Sequence, residues 1–66
     1  MSDIAQRLAV NIRSRRGDIS QRAFASKLGI SQSTLARIEN AGQNTTLSTL
    51  EQLMKSLKCD IGGLFK

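Results

Sequence analysis

Sixty-six residues with a net charge of +5 make one small domain, near the lower limit for a chain that folds on a single core without a staple. Cys59 is the only cysteine and histidine is absent, which excludes an internal disulfide and a Cys/His zinc site. No nucleophile–base pair or metal-ligand set emerges from Asp3, Asp18, Glu39, Glu51 and Asp60, so the composition argues against an enzyme and calls for no cofactor.

The chain lacks proline and is rich in Ala, Leu, Gln, Arg and Lys, which predicts an all-α fold. Helix 1 is expected from about Ser2, as N-cap, to about Arg16, with Ile4, Leu8, Ala9 and Ile12 as its buried stripe. Gly17-Asp18 stops it. Helix 2 follows Ser20 as N-cap and buries Phe24, Ala25 and Leu28; Gly29 sits where a left-handed residue ends a helix, and Ile30 returns to the core. Helix 3 follows Ser31 and buries Leu35 and Ile38. After a polar loop from Asn40 to Thr45, helix 4 opens at Thr46 with Leu47, Leu50, Leu53, Met54 and Leu57 as its apolar stripe. Asp60 can cap a last short turn carrying Ile61, Leu64 and Phe65. Cys59 reads as a core thiol. The whole chain, 1–66, is expected to be one compact five-helix bundle.

Ser20 to Asn40 holds the most specific pattern. Two helices that cross steeply within four residues need a small residue at the crossing and a positive φ at the turn, which Ala25 and Gly29 supply. The outward positions of helix 3, namely Gln32, Ser33, Thr34 and Arg37, are hydrogen-bonding side chains suited to base edges. Charge agrees with a polyanion partner. Arg7, Arg13, Arg15, Arg16, Arg22, Lys27 and Arg37 face only Asp3 and Asp18 within residues 1–37, whereas Lys55, Lys58 and Lys66 balance Glu39, Glu51 and Asp60 in residues 38–66.

These residues resemble the lambda-repressor-like helix-turn-helix family (Cro and phage-repressor, or Xre-type). The signature runs from Ser20-Gln21 through Leu28-Gly29-Ile30-Ser31 to Ile38-Glu39-Asn40, resumes with Thr46-Leu47-Ser48-Thr49-Leu50 and closes with Leu64-Phe65. The resemblance implies a five-helix bundle whose third helix enters the major groove of double-stranded DNA. Gln32, Ser33 and Arg37 then match base-reading positions, and Gln21 matches a phosphate-binding one. A Gln in the first turn of helix 3 can grip adenine, and Arg37 can fork onto guanine. Further phosphate candidates are Ser31, Asn40, Gln43 and Asn44, with Arg13, Arg15, Arg16 and Arg22 as charge donors.

Three departures from the family pattern matter. An Arg at the end of helix 1 often pairs with the Glu matching Glu39; Arg16 fits if the turn before Ser20 is about two residues shorter than usual. The loop after helix 3 often carries Lys or Arg and a Pro, whereas Ala41-Gly42-Gln43-Asn44-Thr45 is uncharged with its Gly displaced by one. Finally, the chain ends almost at the minimal bundle. Glu39 reads as structural, because a carboxylate facing phosphates is repelled. Leu64 and Phe65 have two open roles: contacts of a homodimer, or closure of the monomer core over helix 1.

The expectation is a cytoplasmic, sequence-specific transcriptional regulator, a repressor that binds a pseudo-palindromic operator as a dimer. Its rival is an antitoxin-type interaction module that masks a partner protein and autoregulates its operon. No apolar run approaches the ~18 residues of a membrane span, and Met1-Ser2-Asp3 does not read as an export signal, so no membrane partner is expected.

Overall fold

The computed structural model of the chain describes residues 3–42 and 45–65 and contains five helices there: α1 Asp3–Arg16, α2 Gln21–Leu28, α3 Gln32–Glu39, α4 Leu47–Leu57 and α5 Ile61–Leu64. Four of these start in the same way. The side chains of Ser20, Ser31, Thr46 and Asp60 each accept a hydrogen bond from the backbone N–H three residues on, at Ala23, Thr34, Thr49 and Gly63. The expected cap of α1, Ser2, lies outside the described residues.

The α2–α3 corner is built as its sequence predicts. Gly29 has φ 77°, its N–H donates to Ser26 O, and the Ile30 N–H reaches back to Ala25 O. These paired bonds satisfy carbonyls at the end of α2 and turn the chain sharply into Ser31. Gly17, at φ 57°, closes α1 through a bond from its N–H to Arg13 O.

Leu8, Ile12, Phe24, Ala25, Leu28, Leu35, Ile38, Leu53 and Leu64 form one core, against which Ile30, Leu50, Met54, Leu57, Cys59 and Phe65 pack half-buried. α1 packs on α3 and α5, and α2 packs on α3 and α4. Leu64 is wholly enclosed, so it closes the monomer core and is not a surface contact.

Two apolar residues expected inside, Ile4 and Leu47, lie outside, and so does Ile61 of the last turn. Ile4 is 67% exposed, Leu47 79% and Ile61 55%. Each sits in the first turn of its helix, where periodicity still marks a stripe but no neighbouring helix reaches far enough to cover it. The loop after α3 begins with a left-handed residue that is not a glycine. Its left-handed residue is Ala41, at φ 58°, whose N–H donates to Ile38 O while the Gly42 N–H donates to Arg37 O. Gly42 serves a different need: a Cβ there would stand 2.9 Å from the Arg37 carbonyl oxygen.

Candidate nucleic-acid interface

α3 presents two unlike faces. Leu35 and Ile38 anchor it in the core, while Gln32, Ser33 and Arg37 stand exposed on the other side. Thr34 is half-buried at the edge between them. At the helix start, Ser31 Oγ accepts from the Thr34 N–H and donates to Thr34 Oγ1 at 2.7 Å, with Ser33 Oγ 3.2 Å away. Ser31 and Thr34 are thereby engaged with each other, and Gln32 and Arg37 remain the long polar arms of the face.

Glu39 locks this helix to its neighbours. It is only 5% exposed, and its carboxylate receives Arg16 Nε at 2.7 Å, Arg16 Nη2 at 3.0 Å and Gln21 Nε2 at 2.9 Å. Arg16 Nη1 donates to Ile19 O, so the short turn 17–19 brings the guanidinium across as a fork. One carboxylate thus joins the ends of α1, α2 and α3. Burial pushes the Glu39 carboxyl up, but the hydrogen bonds from Arg16 and Gln21 and the charges of Arg16 and Arg13 outweigh it and hold the group below its ordinary value.

The expected phosphate donors therefore divide. Arg16 is committed to Glu39 and is not a spare cation at the surface. Arg15 Nε donates to Asn11 Oδ1 and its Nη2 leans toward Gly63 O at 3.4 Å, which ties it to α5. Gln21 spends one amide hydrogen on Glu39, leaving its second hydrogen and its backbone N–H at the open start of α2. Arg22 is exposed on α2. Arg13 and Asn40 come together across an open groove of about 400 Å³, lined also by Gln6, Val10 and Ala41 beside Glu39. Gln43 and Asn44 lie outside the described residues.

Three polar residues have roles that the sequence pattern did not mark. Asn11 Nδ2 donates to Gly63 O at 2.9 Å and pins α5 to α1. Gln52 and Ser56, four residues apart on α4, both donate to Leu28 O at the end of α2. Each is a polar residue adjoining a buried or half-buried leucine or isoleucine in sequence, which was the available signal. Among the described residues no buried side-chain nitrogen or oxygen lacks a partner, and no group of His, Cys, Asp and Glu is placed to hold a metal. No helix there is long and apolar enough to cross a membrane.

Two short helices joined by the Gly29 turn, with a solvent-facing second helix of hydrogen-bonding side chains and an arginine-bearing flank, define a helix-turn-helix module. The Cro/C1-type helix-turn-helix family, described simply as "Helix-turn-helix", has a model that matches residues 12–64, and the chain belongs to that family of DNA-binding transcription regulators. No curated protein and no solved structure matches the chain.

Proposed function

We propose that the chain is a repressor that recognises a pseudo-palindromic operator as a dimer, with α3 of each copy in the major groove. The observation that carries this reading is the exposed trio Gln32, Ser33 and Arg37 on a helix whose opposite face is fixed by the core and by Glu39. Gln32 and Arg37 are assigned to base edges. Gln21, Arg13, Arg22 and Asn40 are assigned to phosphates, with the α2 N-terminus adding backbone N–H groups.

The bundle measures 29 × 22 × 20 Å, less than the ~34 Å that separates half-sites one DNA turn apart. One copy therefore offers a single α3 to a single groove, and a pair supplies the second half-site. Half-buried Phe65, beside exposed Ile61, is the remaining apolar contact for that pairing now that Leu64 is enclosed. The protein acts in the cytoplasm by occupying DNA and excluding polymerase, without covalent chemistry.

The test is selection from random duplexes, followed by binding of the enriched site to Gln32→Ala and Arg37→Ala. Each variant is expected to lose about 1–3 kcal/mol of discrimination at one or two base positions. An unchanged preference at every position would refute the assignment. Sedimentation of the complex decides the dimer, and one subunit per palindrome would overturn it.

A further inference from the structure

Leu28 is the last residue of α2, and its carbonyl is the one at which the chain leaves that helix for the turn. The N–H groups of Gly29 and Ile30, which would be the nearest donors, are spent on Ser26 O and Ala25 O. The Leu28 carbonyl is satisfied instead from α4: Ser56 Oγ donates to it at 2.8 Å and Gln52 Nε2 at 3.0 Å. Gln52 Nε2 also donates to Ser56 Oγ at 3.1 Å. The three groups close a triangle of hydrogen bonds around the Leu28 carbonyl oxygen.

A second observation shows that the turn is shaped around this triangle. A Cβ on Gly29 would come within 2.6 Å of Gln52 Nε2, so the glycine both adopts φ 77° and leaves room for the amide. α3 itself packs on α1 and α2 rather than broadly on α4. Its orientation relative to α4 is therefore transmitted through the end of α2, alongside the Arg16–Glu39 fork that holds α3 to α1.

We propose that Gln52 and Ser56 are positioning residues for DNA recognition: by holding the Leu28 carbonyl they set the angle at which α3 presents Gln32 and Arg37. This rests on the base-reading role given to those two residues above. Paired hydrogen bonds to a base edge tolerate displacements of only about 0.5 Å and 10–20°, so a small rotation at Gly29 is enough to weaken them. Contacts to phosphate are more forgiving because charge attraction varies slowly with distance.

The experiment uses the full chain, with Gln52→Ala, Ser56→Ala and the double variant, plus Ser56→Thr, which keeps the hydroxyl. Binding is measured at a temperature where circular dichroism shows every variant folded. The double variant is expected to lose about tenfold in affinity for the selected duplex while binding to an unrelated duplex and the salt slope stay unchanged; Ser56→Thr restores the Ser56→Ala loss. In parallel, residual dipolar couplings of the free protein report the angle between α3 and α4, and this angle is expected to change in the double variant. A lowered melting temperature with the same angle and the same sequence preference would overturn the proposal. If the unaltered chain prefers no sequence, the function proposed above falls and the recognition role of the clamp with it. The free-protein angle still separates the two, since an unchanged angle refutes the clamp on its own terms.

Discussion

Ala41 holds a conformation that glycine adopts freely, and replacing it tests how this chain ends its third helix. At φ 58°, its Cβ crowds the following carbonyl, a strain of about 1–2 kcal/mol for an L-residue. Ala41→Gly removes that strain. Against it stands the larger unfolded-state entropy of glycine, which offsets about 0.4–1 kcal/mol. The lost methyl is half-buried on the groove beside Val10, and at ~0.8 kcal/mol for a fully buried carbon it costs about 0.3 kcal/mol more. From central values the net gain is about 0.5 kcal/mol, which for a chain of this size raises the midpoint by roughly 3 °C. Thermal and urea denaturation both read this, and the urea midpoint should rise with an unchanged slope. Ala41→Val, with a branched Cβ at the same φ, should fall instead. A lowered midpoint for Ala41→Gly would refute the claim that the left-handed position is strained.

The remaining predictions concern the core, the turn and the buried carboxylate. Leu35 is fully enclosed, and Leu35→Ala should destabilise the chain by about 2–5 kcal/mol, enough to unfold it at moderate temperature, as read by circular dichroism. Gly29→Ala should lower the midpoint, because the new Cβ meets the Gln52 amide at 2.6 Å in a left-handed backbone; no change would mean the turn is looser than its hydrogen bonds indicate. The Glu39 carboxyl is held below its ordinary value of 4.5, so its contribution to stability is complete above that pH and is lost as pH falls through the lower folded-state value. Glu39→Gln removes this titration, and its melting temperature should vary less steeply below pH 5 than that of the unaltered chain; parallel profiles would refute the assignment. Arg13→Ala should weaken binding to all duplexes alike and reduce the salt slope by about one, whereas a change in base preference would place Arg13 elsewhere.

Helix ends are the most legible part of the fold. Ser20, Ser31, Thr46 and Asp60 cap helices through bonds that reach only three residues along the chain, and Gly29 carries the expected left-handed turn. Such features are local, so residue type and spacing determine them. The exposed face of α3 is legible for the same reason: Gln32, Ser33 and Arg37 fall opposite Leu35 and Ile38 by helical period alone.

The charged and polar roles depend on tertiary structure. Arg16 and Arg15 are neighbours with the same side chain, yet one crosses to Glu39, 23 residues away, and the other leans toward Gly63, 48 residues away. The family resemblance singled out Arg16 for Glu39, but nothing in the two residues themselves distinguishes them; the helical 100° step sends them to different sides, and the packed bundle determines what each side meets. The same holds for Ile4 and Leu47, whose apolar character marks a face but not whether another helix reaches it. Ala41, rather than the neighbouring glycine, takes the positive φ because Gly42 must pass close to the Arg37 carbonyl. Residue type and spacing alone set the helices, the caps of α2 to α5 and the exposed polar face of α3. Packing set which arginines are tied up inside the bundle and, through Leu28, where α4 grips the turn, because those outcomes depend on contacts between distant parts of the chain.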